Sequence, residues 1–106
     1  MRLNRARYYI LKGKEPVEAT AEEWSVWFST ADRHVAKTQV GEYWVSTVFM
    51  GLDHNFSGRG APVLFETMTF DLDNRQEMMG RCSTWAEADA MHAMAVAHVR
   101  QTVTSG

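Results

Sequence analysis

Tyr43-Trp44-Val45-Ser46-Thr47-Val48-Phe49-Met50 and Val63-Leu64-Phe65-Glu66-Thr67-Met68-Thr69-Phe70 are the two clearest strand signals in this chain. Both are rich in β-branched and aromatic side chains, which fit a pleated, half-buried surface. Successive side chains alternate across a strand, so Val45, Thr47 and Phe49 point one way and Trp44, Ser46, Val48 and Met50 the other. In the second run Glu66 falls in step with Leu64, Met68 and Phe70. If those three face the core, Glu66 does too, and a buried carboxylate needs a partner or takes a raised pKa. The alternatives are that the other face lies inside, or that Glu66 sits at the sheet margin and pairs with an arginine.

Working outward, Gly41-Glu42 reads as a hairpin turn back to a strand over His34–Val40. Asp71-Leu72-Asp73-Asn74 reads as a turn into a strand over Gln76–Cys82, weakened by Gly80. Gly51 to Pro62 is a long loop between strong strands, and long loops often carry function. Near the start, Tyr8-Tyr9-Ile10-Leu11 is β-prone, residues 12–16 form a turn, and Val17–Ala19 pair back as a short edge. Thr20 with Glu23 fits a capping box, and Trp24, Trp27, Phe28 and Ala31 follow on one helical face, predicting a first helix over 21–32. Thr84 with Glu87 fits a second box. The alanine-rich stretch after it carries the stripe Trp85, Ala88, Met91, His92, Ala95 and Val99, predicting a second helix over 84–102. The expected fold is α+β: one domain with an antiparallel sheet of about four to five strands and two helices packed on one face. Residues 1–7 are expected as a flexible basic arm and 103–106 as a frayed tail.

Composition bounds what such a fold can do. The chain has 106 residues and 12.1 kDa, enough for one core and not for two. No apolar run approaches the roughly 20 residues of a membrane helix, and no secretory leader is evident. A cytoplasmic protein without a membrane partner is therefore expected. Cys82 stands alone, which excludes an internal disulfide and a multi-cysteine zinc site. Net charge is −2, unevenly spread. Arg2, Arg5, Arg7, Lys12 and Lys14 open the chain without an acid, leaving six basic against thirteen acidic groups afterwards. A basic arm suits phosphate, but the overall charge is too small for a strong duplex binder, so nucleic acid is not the expected partner.

Asp53-His54-Asn55 in the long loop, with Arg59 nearby and Glu66 in the facing strand, is the best candidate for chemistry, since a His beside a carboxylate is the minimum for acid–base work. Its spacing matches no motif with a known mechanism, and Asp-His pairs are common in turns. No catalytic residue, cofactor or metal is assigned. His92 and His98 lie six residues apart on different helix faces, and His92 reads as a hydrogen-bonded core or boundary histidine. Four tryptophans and seven methionines are an excess for this length. Trp24, Trp27 and Trp85 suit helix faces turned to the core. Trp44 or Phe49 would be exposed if one sheet face lacks a helical cover, at a homodimer or partner interface.

Tyr43 to Phe56, Pro62 to Met68, Ala31 to Ala36 and Ser83 to Ala88 resemble blocks of a family of small proteins encoded by phages and prophages. The resemblance implies a phage context and carries over no catalytic residue. Small phage accessory proteins often work by binding, including inhibition of bacterial defence complexes such as CRISPR. The expected function is thus that of a non-enzymatic accessory protein binding a host protein. Trp44 and Phe49 would form the contact core, with Asp53, His54 and Arg59 at its polar rim. The alternative is a small-molecule binder or small enzyme centred on Asp53, His54 and Glu66.

Overall fold

The computed structural model describes residues 6–105. Strand β1 (Tyr8–Lys12) turns at Gly13 into β2 (Glu15–Ala19), and helix α1 (Ala21–Thr30) follows. Strands β3 (His34–Val40), β4 (Tyr43–Phe49), β5 (Phe65–Phe70) and β6 (Gln76–Cys82) come next, and helix α2 (Trp85–Ser105) closes the chain. The strands divide between two antiparallel sheets, the hairpin β1-β2 and a meander in the order β3-β4-β5-β6.

The α+β class expected from the sequence is the observed one, and each helix packs on a sheet. Helix α2 lies across all four strands of the meander, whereas α1 packs against the small hairpin. The hairpin stays separate because it meets the chain beyond the end of β4. Gly51, at φ +75°, turns the backbone out of the strand, and its carbonyl accepts the Tyr9 N–H at 2.8 Å. Tyr8 then pairs with Leu52 as a lone bridge. A side chain at Gly51 would overlap the Trp24 indole nitrogen, so this junction requires glycine. The first helix reaches the meander through Trp27, whose ring meets Phe49 edge-on at 5.7 Å.

Both helix starts form as the sequence dictates. Thr20 Oγ1 accepts the Glu23 N–H at 3.1 Å, and Glu23 Oε1 accepts the Thr20 N–H at 2.8 Å. Thr84 and Glu87 repeat this at 3.1 and 3.0 Å, with the Ser83 N–H also donating to Glu87 Oε1. These amides hold the Glu87 carboxyl below its usual pKa. The expected frayed tail is instead helical as far as Ser105, and Val103 packs beside Gly41. Of the expected basic arm, Ala6 packs against the core and the Arg7 carbonyl accepts the Asp53 N–H. Arg2 and Arg5 lie outside the described residues.

Two apolar clusters make the core. One joins Tyr9, Phe49, Leu64, Phe65 and Ala88; the other joins Val40, Val45, Ala95, Val96 and Val99. Between Ala88 and Ala95 on α2 stands His92, and the layer it reaches is polar. Its Nδ1 lies 2.7 Å from Thr47 Oγ1, its Nε2 lies 2.9 Å from Thr38 Oγ1, and Thr47 Oγ1 lies 2.5 Å from Thr67 Oγ1. Thr47 and Thr67 are fully buried. Burial pushes the His92 pKa down, favouring the neutral ring. His92 is hydrogen-bonded and lies in the core, one of the two settings its place on the stripe suggested.

That layer settles which way β5 faces. Phe65, Thr67 and Thr69 turn inward to α2, and Glu66, Met68 and Phe70 turn outward. Thr67 can occupy the core side because Thr47, itself bonded to His92, shares its hydroxyl.

Candidate interaction face

With α2 on one side, the other side of the four-stranded sheet is left open by the described residues. Directly paired residues in antiparallel strands point the same way, so the register gives the composition of this face row by row. Gln39, Trp44, Phe70 and Gln76 form the first row. Lys37, Ser46, Met68 and Met78 form the second, and His34, Val48, Glu66 and Arg81 the third. Trp44, Val48, Met68, Phe70 and Met78 make its apolar part, and Lys37, His34, Glu66 and Arg81 bring charged or titratable groups to it. Trp44 is 38% exposed and Met78 50%, with Val48, Met68 and Phe70 half-buried against their neighbours.

The charged groups on this face are held by what surrounds them. Lys37 Nζ sits 4.8 Å from the centre of the Trp44 ring, a cation–π contact that keeps the indole lying along the sheet. Glu66 Oε2 accepts from both Nε and Nη2 of Arg81 at 2.9 Å. Glu66 is thus an outward carboxylate paired with an arginine, which was one of the alternatives its alternation left open. At one corner, His34, Trp44, Phe70 and Asn74 help line a depression of about 340 Å3. There the Asp32 carboxylate accepts from the His34 backbone N–H at 3.0 Å and meets its Nδ1 at 3.1 Å, and these contacts lower the Asp32 pKa.

The structure divides the residues expected to act together. Trp44 stands on the open face. Phe49 does not: it is fully buried between Trp27 and Phe65 and has no surface to offer a partner. Its parity matches that of Val45 and Thr47, and α2 and α1 cover that side. Asp53 is 4% exposed and serves the loop, its Oδ1 accepting the N–H groups of Asn55 at 2.8 Å and Val63 at 2.9 Å. His54 is half-buried, with Nδ1 donating to the Leu52 carbonyl at 2.8 Å, which leaves Nε2 as the acceptor in the neutral ring. Arg59 is exposed, and its carbonyl accepts from Asn55 Nδ2 at 2.6 Å. Asn55 also bonds the Ala61 carbonyl and Ser57, so it organises the whole turn.

Geometry separates this loop from Trp44. Strand β4 runs on from Trp44 to Phe49, about 17 Å of extended chain, before the loop begins. Asp53, His54 and Arg59 therefore do not form a rim around Trp44. Depressions of about 720, 460, 340 and 200 Å3 are lined without Asp53, His54 or Glu66. The largest lies between the β1-β2 turn and the start of α2, with Tyr9, Lys12, Lys14, Leu64 and Trp85 in its wall. Sequence reasoning missed it, since its walls come from three separate stretches of chain, 9–16, 61–64 and 83–89.

Among the described residues, no group of three His, Cys, Asp or Glu side chains is placed to hold a metal ion. Cys82 is partly buried, and burial raises its thiol pKa, so it is a poor nucleophile at neutral pH. No helix among the described residues is long and apolar enough to cross a membrane. No family model, curated protein or solved structure matches the chain.

Proposed function

We propose that this chain acts by binding a protein partner through the open face of its four-stranded sheet, as a phage-type accessory protein that inhibits a host defence complex. The observation that carries the binding reading is the placement of Trp44, Val48, Met68, Phe70 and Met78 together on a face over which the described residues place no helix. An apolar patch with charged groups beside it is the surface a partner dehydrates, and tryptophan and methionine are favoured in such contacts. The Glu66–Arg81 pair and Lys37 would set orientation more than affinity. The phage context and the defence target rest on the resemblance of the sequence blocks.

The test begins with a pull-down from bacterial host lysate, comparing wild type, Trp44→Ala, Met68→Glu and Phe56→Ala. Phe56 is 78% exposed but lies in the loop away from the face, so it serves as the control. The proposal expects one stoichiometric protein held by wild type and Phe56→Ala and lost with the other two. Retention of that protein by both face variants, with their fold intact, would rule the face out. The inhibitor part is tested by plaque counts on a bacterium carrying a CRISPR system. Wild type should raise them, and Trp44→Ala should not.

A further inference from the structure

On the far side of the molecule from that face, α2 presents an outer surface that no other element among the described residues covers. Ala90, Ala93, Met94 and Ala97 are exposed along it, Met94 by 73%. An apolar groove of about 460 Å3, with Met79, Met91 and Met94 in its wall, runs down one flank. The charges on this helix are sorted: Glu87 and Asp89 lie near its start, His98 and Arg100 towards its end.

Their spacing is the informative part. Asp89 and Arg100 are eleven residues apart, as are Glu87 and His98. Eleven residues is close to three helical turns, so each acid shares a flank with its basic counterpart, about 16 Å along the axis. Asp89 and Arg100 occupy one flank, Glu87 and His98 the other. The two midpoints fall on either side of Ala93-Met94, within about 3 Å of each other. From this pattern we infer that α2 pairs side by side and antiparallel with α2 of a second copy of this chain, about a two-fold axis near Ala93-Met94.

A two-fold axis perpendicular to both helices keeps each flank on its own side while reversing direction. Asp89 then faces Arg100 of the other copy, and Glu87 faces the other His98, each contact occurring twice. Ala90 meets Ala97, and the small side chains let the helices approach while Met94 fills the groove beside them. A parallel pair would set acid against acid at one end and base against base at the other. The pairing uses the face of α2 opposite the sheet, so both open sheet faces stay free, one on each side of the dimer.

Sedimentation velocity of the full chain from about 1 to 500 μM, a range suited to a modest interface, tests this. The mass should rise from 12.1 kDa towards twice that value. Met94→Glu, at a position too exposed to disturb the core, should weaken self-association about tenfold or more, with the circular dichroism spectrum unchanged. Asp89→Arg and Arg100→Asp should each weaken it, and the two together should restore it, since the swapped charges again oppose across the two-fold. A monomer at every concentration overturns the inference. So does a dimer indifferent to Met94→Glu, or one lost in Trp44→Ala instead, which would put the self-contact on the sheet. Partner capture through the open face is read separately, so either reading can fail alone.

Discussion

Replacing Thr47 with valine exchanges one interior hydroxyl for a methyl of nearly the same size. It costs little packing, so the change isolates hydrogen bonding. The Thr47 oxygen is shared by His92 Nδ1 at 2.7 Å and Thr67 Oγ1 at 2.5 Å, and Thr47, Thr67 and His92 are all buried. Valine leaves both neighbours short of a partner where water has little access, at about 1–3 kcal/mol for a buried unsatisfied group. At about 2.1 cal/mol/K of unfolding entropy per residue, 1 kcal/mol is worth roughly 4–5 °C for a chain of 106 residues. The expected fall in Tm is therefore about 5–14 °C, read by calorimetry at pH 7.5. In a His92→Leu background the same substitution has less to break and should cost at least about 1 kcal/mol less. A fall below about 2 °C, or strict additivity of the two changes, would refute the account of a polar layer that stabilises the sheet–helix contact.

Three further expectations concern the fold. The His92 pKa is lower folded than its ordinary 6.5, so the unfolded chain binds the proton first as pH falls. Stability should be complete above about pH 6.5 and decline below it towards the folded value, and Tm against pH should flatten in that window for His92→Gln. Gly51→Ala should cost about 2–4 kcal/mol in urea unfolding, because a positive φ and the overlap with Trp24 add, whereas Gly13→Ala, with φ +65° and open space around it, should cost only about 1 kcal/mol. Thr84→Ala should lower stability by about 1 kcal/mol through loss of the α2 cap, with a larger loss in Tm than any change to the exposed Arg59.

Much of the local architecture is written in short-range chemistry and was legible for that reason. The two capping boxes mark their helices because the bonds they make span only three residues. The turn at Gly41 and the strands on either side of it follow from glycine and from β-branched composition. Harder to read was β5, where both faces carry large apolar side chains. Leu64, Met68 and Phe70 make the more hydrophobic set, yet from Phe65 onward the inward side is Phe65, Thr67 and Thr69. The deciding contacts run from Thr67 to Thr47, twenty positions away, and from Thr47 to His92, forty-five away, and no local pattern announces them. The same applies to the hairpin: Pro16 sits in β2 opposite Leu11, and the junction at Gly51 depends on Trp24, far away in sequence. For the candidate site, the exposure of Trp44 followed from asking which sheet face lacks a helix. The burial of Phe49 needed the answer. Asp53 and His54 looked chemical because side chains that close a turn are the same ones that move protons.

The order of the elements also governs how the protein is made. The meander pairs each strand with its predecessor, so β3 to β6 can associate as they leave the ribosome, by contacts close in sequence. Helix α2 follows all of them, and until it emerges most of the inner face of the sheet is without its cover. Thr38, Thr47, Thr67 and Thr69 run across the middle of that inner face. While it waits they can be hydrated, and they interrupt what would otherwise be an unbroken greasy sheet inviting nascent neighbours. The interior hydroxyls thus serve the newborn chain first as a wetting strip, and only later, when His92 arrives, as part of the finished core.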